Sequence, residues 1–179
     1  LMEMCSTRSA VDPQERERLW KHSLATARVA SQLVACRPWV SREKAYLLAL
    51  FHDLGRIAMA FSLNEHYLAI RQLAQSTRIP FWYAELQYGL THTAVGRWLA
   101  TRWNLPEAFQ VVMEFHHCPQ KSPAYKAEVK LISLANALAN SMENPALLDD
   151  DTTLACRNDL FIRDNEWEEC LKRLEGIFS

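Results

Sequence analysis

Helix-start signals recur along this chain and constrain its fold more than any other feature. Asp12, Ser41 and Thr91 each precede a run in which apolar residues return every three or four positions, the spacing of one helix face. Pro13 suits the first position of a helix, and Glu15 completes a capping box with Asp12. Only 4 of the 179 residues are glycine, which strand-rich folds use in turns and bulges. These patterns predict an all-α fold, a single compact helical domain of about seven to nine helices.

The same signals divide the sequence into elements. Helices are predicted at about 13–36, 42–55, 64–77, 80–89, 92–104, 106–118, 123–142 and 164–178, with a short helix or turn at 56–61. Residues 1–11 are expected to be a flexible N-terminal segment and residues 12–179 the helical domain. The stretch 143–163 is predicted to be an irregular surface segment or a short helix.

Composition narrows the class of protein. Hydrophobic residues make up 49% and charged residues 23%, as in globular proteins, and the net charge of -1 gives no electrostatic case for direct nucleic-acid binding. No apolar run approaches the roughly 20 residues of a membrane helix, and no signal peptide is visible. The five cysteines form no CxxC pair and are interpreted as reduced thiols. We therefore expect a cytoplasmic protein without membrane contact.

Five predicted helices each carry a metal-ligand type of side chain on an otherwise apolar face. These residues are His22, His52 with the adjacent Asp53, His92, His116 with the adjacent His117, and Asn136. Burying an unpaired polar group costs about 1–3 kcal/mol, so we expect these groups to meet in one pocket. Imidazole and carboxylate ligands suit Fe, Mn, Zn or Ni, and a divalent transition metal is the expected cofactor if one is bound.

Each of these residues also has an ordinary structural interpretation. A lone histidine on an apolar face is more often a hydrogen-bonded core residue than a ligand. Asp53 stands two residues before Gly55 and could belong to a turn, and His116 and His117 suit the C-terminal end of a helix dipole. His66 lies outside the pattern and is predicted to be a surface residue. The joint pattern favours a common pocket, because it takes in five of the six histidines.

Four segments of the sequence resemble a known family. They are "LWKHSLATARVASQLV", "AYLLALFHDLGRIAMA", "ELQYGLTHTAVGRWLATRWNLPEAF" and "EFHHCP". His22 followed by the doublet His52-Asp53 is similar to the HD superfamily of metal-dependent phosphohydrolases, and the finer resemblance is to the HDOD domain, the HD-related output domain of bacterial signalling proteins.

The resemblance implies roles for individual residues. His22, His52 and Asp53 take the first three metal positions of the HD superfamily, and Asn136 stands where that superfamily has its later aspartate. His92, His116 and His117 resemble the further histidines of the HD-GYP phosphodiesterases. The segment "CPQKSPAY" after His117 lacks the Gly-Tyr-Pro loop of those enzymes, so the resemblance does not support hydrolysis of cyclic di-GMP.

Three functional hypotheses follow. The first is a signal-transduction output module that acts through contacts with a protein partner and has no catalytic residue. The second is a metal-dependent phosphohydrolase acting on a nucleotide or phosphoester, in which Asp53 has the catalytic role. The third is a purely structural helical domain. HDOD domains usually have a further helical half before the "LWKHS" segment, so the resemblance implies the C-terminal part of a longer protein with an N-terminal receiver or sensor domain.

Overall fold

A computed structural model describes residues 12–36, 40–141 and 150–178. These residues form helices and no strand, which confirms the all-α prediction. The helices are α1 (Pro13–Cys36), α2 (Arg42–Phe51), α3 (Leu54–Ser62), α4 (Asn64–Thr77), the four-residue α5 (Phe81–Ala84), α6 (His92–Arg102), α7 (Glu107–Phe115), α8 (Lys126–Ser141), α9 (Asp151–Asp159) and α10 (Asp164–Phe178). Short 3-10 helices lie at Glu85–Gln87 and Pro119–Lys121.

Helix capping sets several of the predicted starts. The hydroxyl of Ser41 accepts a hydrogen bond from the backbone N–H of Lys44, and Thr91 caps α6 in the same way through Ala94. Glu15 does not serve as the partner of Asp12 in a capping box. It is 2% exposed and accepts hydrogen bonds from the Tyr67 hydroxyl at 2.5 Å and from the Arg18 guanidinium at 2.9 Å. This residue therefore fixes α1 against α4.

The second predicted helix ends earlier than expected, so its predicted C-terminal boundary near Gly55 is wrong. Helix α2 ends at Phe51, a turn carries His52 and Asp53, and α3 begins at Leu54. Gly55 is part of α3, and a Cβ atom there would lie 1.9 Å from the backbone oxygen of His92 and 2.5 Å from the backbone nitrogen of Gly96. This glycine allows α3 to approach α6 closely and does not terminate a helix.

One other predicted element differs from the structure, whereas the stretch 143–163 contains a short helix, one of the two forms predicted for it. The segment expected to be one helix from residue 80 to 89 is the short α5 followed by a 3-10 turn, although Gly89 does close it with a φ of 72°. Within the stretch 143–163, residues 151–159 form α9. The predicted flexible segment 1–11 and residues 142–149 lie outside the described residues.

Two hydrophobic clusters fill the interior, and α1 contributes to both. Residues from α1, α2, α7, α8, α9 and α10 form the larger cluster, which includes Leu33, Leu48, Val112 and Leu134. A smaller cluster joins Leu19 of α1 to residues of α3, α4 and α5. Within α1, His22 lies between the residues that belong to the two clusters, and polar side chains are found in the interior at this point.

Among the described residues, no single helix is long and apolar enough to cross a membrane. One pair, Arg42–Ser62 with Asn64–Thr77, reaches that length and composition only when taken together, across a bend of 114°.

The core position of Leu48 leads to a stability prediction. Its side chain is 1% exposed, whereas the adjacent Leu47 is 44% exposed. We expect Leu48→Ala to lower the free energy of unfolding by about 2–5 kcal/mol, because it removes buried methyl groups and leaves a cavity. Leu47→Ala is the matched control and should change it by about 0.5 kcal/mol or less. Urea denaturation measures both, and equal effects of the two substitutions would contradict the core assignment.

Candidate metal centre

Six ligand-type side chains from separate parts of the fold converge on one point. They are His22 in α1, His52 and Asp53 in the turn between α2 and α3, His92 at the start of α6, and His116 and His117 just after α7. The carboxylate of Asp53 lies at the centre. Its Oδ1 is 3.3 Å from Nε2 of His92 and 3.5 Å from Nε2 of His116, and its Oδ2 is 3.9 Å from Nε2 of His22. The structure thus brings together the histidines that the sequence singled out.

These side chains form two overlapping groups. The first contains Asp53, His92, His116 and His117, and the second contains His22, His52 and Asp53; within each, one ligand atom per residue lies within 4.8 Å of the others. Asp53 belongs to both groups. The arrangement therefore offers two adjacent cation positions that share one carboxylate.

Hydrogen bonds on the far side of three imidazole rings set which nitrogen faces the centre. Nδ1 of His52 lies 2.6 Å from the carbonyl oxygen of Ala49, and Nδ1 of His116 lies 3.1 Å from that of Met113. Nδ1 of His92 lies 2.6 Å from Oε2 of Glu85. Because each acceptor requires a proton on Nδ1, the lone pair for a cation is on Nε2, which faces Asp53. This is the usual arrangement around metal-binding histidines in proteins.

Glu85 is a site residue that sequence reasoning missed. It is fully buried, and it accepts hydrogen bonds from both the backbone N–H and the ring Nδ1–H of His92, at 2.9 Å and 2.6 Å. The 3-10 turn at Glu85–Gln87 brings it to the start of α6. The available signal was an acidic residue inside the apolar run "FWYAEL", where a carboxylate requires a buried partner.

The protonation states differ among the histidines. Burial outweighs the Asp53 carboxylate and lowers the pKa of His52 to about 3, and burial also lowers the pKa values of His22 and His117. For His92 burial opposes the charged form, but Asp53 and Glu85 outweigh it and raise the pKa to about 9. Three of the rings are therefore neutral ligands at neutral pH, and in the absence of a metal His92 holds a proton that a cation would replace.

Unsatisfied polar atoms test whether this donor set fits a metal. Nε2 of His52 and Oδ1 of Asp53 are buried and have no hydrogen-bond partner among the described residues. Nε2 of His117 lies 3.2 Å from Nε2 of His92, the atom that holds the proton a cation would replace. A divalent cation would satisfy these atoms together, and nitrogen and carboxylate donors suit Fe, Mn, Zn or Ni. The residues present therefore fit such an ion.

Two of the residues discussed from the sequence, Asn136 and His66, lie outside the two ligand groups. Asn136 is buried and interacts with His22, but its Oδ1 already accepts a hydrogen bond from Asn140 at 2.9 Å. His66 lies outside the cluster, as expected, but it is half-buried with its ring edge-on to Tyr88 at 5.4 Å. His66 is thus partly exposed, at the edge of the interior.

A cavity of about 530 Å³ opens onto the cluster. Its floor contains Asp53, His92, His116 and His117, and the residues above the floor include Arg56, Arg78, Trp82, Asn136 and Thr153. Trp82 stacks on His117 with the ring planes 18° apart. A larger cavity of about 680 Å³ lies between α1 and α2, but none of the cluster residues line it. Four of the six candidate ligands thus line the smaller cavity.

The sequence and the fold match known proteins. The family model of the HDOD domain matches residues 1–119. An uncharacterized protein of Treponema pallidum (strain Nichols) is 27% identical over 125 residues, which cover 68% of this chain and 24% of that protein.

Two solved structures have a similar fold. A Geobacter sulfurreducens HDOD domain protein with unknown function superposes with a TM-score of 0.75 at 23% identity, over 88% of this chain and 58% of that one. The MmoQ response regulator of Methylococcus capsulatus str. Bath superposes with a TM-score of 0.67 at 22% identity, over 90% of this chain and 62% of that one. This chain therefore spans less than two thirds of each structure. Because the family model covers more than half of the sequence, this chain belongs to the HDOD domain family.

Proposed function

We propose that this chain is a cytoplasmic output module of a bacterial signalling protein, and that its HD-type pocket binds divalent transition-metal ions. The observation that carries the metal proposal is the convergence of histidine Nε2 atoms on Asp53 while their Nδ1 atoms are engaged elsewhere. Membership of the HDOD family and the similarity to a protein named as a response regulator support the signalling role. In the proposed full-length protein, an N-terminal receiver or sensor domain controls the module, which acts by contact with a protein partner.

Each residue of the pocket has a role in this proposal. His22, His52 and Asp53 would hold one ion, and Asp53, His92, His116 and His117 would hold a second. When bound, such an ion supplies Lewis acidity and an acidified water. Glu85 fixes the ring of His92, and the backbone carbonyls of Ala49 and Met113 fix His52 and His116.

Two features favour a regulatory site over an enzyme. Asn136 offers a neutral amide where the HD superfamily has a carboxylate, and its oxygen is already bonded to Asn140. The segment after His117 forms the short 3-10 helix Pro119–Lys121 in place of a Gly-Tyr-Pro loop. The first change removes a negative charge from the metal site, and the second removes a loop that could align a phosphodiester for in-line attack.

The alternative function is a metal-dependent phosphohydrolase. One observation favours it: the ligand group of Asp53, His92, His116 and His117 lines a cavity of about 530 Å³, a volume typical of small-molecule sites. In that case Asp53 would be the central catalytic ligand. The two functions make different predictions for turnover.

Metal content tests the proposed function directly. Protein purified without chelator should contain up to two transition-metal ions, one for each ligand group. His52→Ala should lose metal, and His66→Ala, a histidine outside the cluster, is the matched control and should keep it. Asn136→Asp should bind metal more tightly, because it adds a negative charge beside His22. Elemental analysis gives the stoichiometry, and equal metal content in the two histidine variants would contradict the proposal.

Glu85 should matter for metal affinity without touching the ion. Glu85→Gln removes the charge that holds the His92 ring, and we expect metal binding to weaken by about 10–100-fold, as for other partners behind metal-binding histidines. Glu65→Gln, an exposed residue of α4, is the control and should have no effect. Competition with a fluorescent chelator measures both affinities, and thermal melting checks that each variant is folded. Unchanged affinity in folded Glu85→Gln would show that its bond to His92 is unrelated to metal binding.

The regulatory role predicts an absence of turnover. Metal-loaded protein, with Mn or Fe added, should release no more product from cyclic di-GMP than His52→Ala does, because the groups for substrate alignment are missing. Chromatography of the nucleotide products measures this. Turnover that disappears in His52→Ala would favour the enzyme alternative instead.

A further inference from the structure

The cavity of about 680 Å³ between α1 and α2 is an open groove on the protein surface, away from the metal centre. Small residues let the two helices pack closely, since Ala27 and Ala30 of α1 and Ala45 and Ala49 of α2 are all fully buried. The shape of the groove is therefore set by two packed helices. The side chains of this α1–α2 groove include Arg28, Gln32, Arg42, Glu43, Tyr46 and Leu47.

Each helix contributes one row of side chains to the α1–α2 groove. Arg28 and Gln32 share a face of α1, and Arg42 and Tyr46 share a face of α2, because each pair has helical spacing. Helix α2 folds back along α1 after a short connection. Arg28 lies about two helical turns, or ~12 Å, before the end of α1, whereas Arg42 begins α2. The backbones of the two arginines therefore lie towards opposite ends of the groove, with Tyr46 and Leu47 between them.

The charges of the groove are not balanced within it. Arg28 and Arg42 are exposed, and neither makes a hydrogen bond or an ion pair with any residue that the structure describes. Glu43 is the acidic residue of the described lining, and it lies in the first turn of α2, where a negative charge suits the helix dipole. Lys44 is paired with Glu128 outside the groove, at 2.8 Å. The described lining thus has a net positive charge, which favours a partner with acidic side chains.

Apolar surface lies between the two arginines. The side chain of Leu47 is 44% exposed, although it stands next to the buried Leu48. Tyr46 is half-buried and packs against the larger hydrophobic cluster, which holds its ring in place. Tyrosine and arginine are enriched among the residues that contribute most to protein–protein binding. This combination fits a protein segment that carries apolar side chains between acidic ones.

We propose that the α1–α2 groove binds an acidic amphipathic helix of a partner protein, with its apolar face against Tyr46 and Leu47 and its carboxylates on Arg28 and Arg42. A helix bound in a groove is recognised through side chains at helical spacing. Two acidic residues about seven positions apart on such a helix are separated by ~11 Å, close to the length of α1 that follows Arg28. The inference rests on the proposed output role and adds to it the contact surface and the chemistry of the partner.

Fluorescence anisotropy with designed peptides tests this assignment on the whole chain. The probe is a labelled helical peptide with two glutamates about seven residues apart and leucines between them. The control peptide has lysines in place of the glutamates. The acidic peptide should bind, and the lysine peptide should bind at least about 10-fold more weakly, because it places like charges opposite Arg28 and Arg42. If the acidic peptide does not bind, or if both peptides bind equally, the proposal is overturned.

Charge reversal locates the contact. The double variant Arg28→Glu/Arg42→Glu should exchange the preference, so that the lysine peptide binds more tightly than the acidic one, an exchange that a merely structural role of the arginines would not produce. Leu47→Ala should weaken binding of the acidic peptide by about 10-fold, because it removes apolar contact area. Arg102→Glu, on the exposed last turn of α6, is the matched control and should bind like the parent. An unchanged preference in the double variant would overturn the assignment.

Two further measurements separate this proposal from its alternatives. Sedimentation of the chain without peptide shows its oligomeric state, and a dimer that dissociates in Leu47→Ala would assign the groove to a second copy and overturn the proposal. Metal content is measured on the same samples. A parent protein that keeps its metal but does not bind the acidic peptide overturns only this inference, and one that binds the peptide without metal overturns only the metal proposal.

Discussion

The close contact between α3 and α6 is the constraint on which the site depends. A side chain at Gly55 would collide with the backbone at His92 and Gly96, so the two helices meet with backbone against backbone. Asp53 lies just before Gly55, and His92 begins α6, which brings the carboxylate within 3.3 Å of the ring. With Asp53 fixed in this way, histidines from α1, α2 and α7 reach the same carboxylate.

The buried cluster has an electrostatic cost that a cation would offset. The imidazoles of His52, His92 and His116 and the carboxylates of Asp53 and Glu85 are buried, and those of His22 and His117 are partly buried. Without a metal, a shared proton on His92 provides part of the compensation, and its raised pKa reflects both carboxylates. Burying these ionisable side chains in a small helical core lowers the free energy of unfolding, and a bound cation would offset that cost.

Much of the fold and most of the candidate ligands were predictable from the sequence, because helix periodicity fixes which residues share a face. Ser41 and Thr91 cap as predicted, and the histidines on apolar faces do meet. The break between α2 and α3 was predicted at Gly55 and lies instead at His52 and Asp53, since Gly55 serves a contact with a helix far away in the sequence. Glu85 was missed for a related reason: its role depends on the partner His92, and local pattern carries no information about that pairing.

The location of a bound metal shows directly whether the His/Asp cluster is a metal centre. Crystals of protein loaded with Mn, Fe or Zn, measured at the absorption edge of the ion, reveal its position by anomalous scattering. A metal held by the cluster should give anomalous peaks within about 2.0–2.3 Å of Asp53 oxygens and histidine Nε2 atoms, the usual range of such bonds. Anomalous peaks only at surface residues, or none at the cluster in metal-loaded crystals, would contradict it.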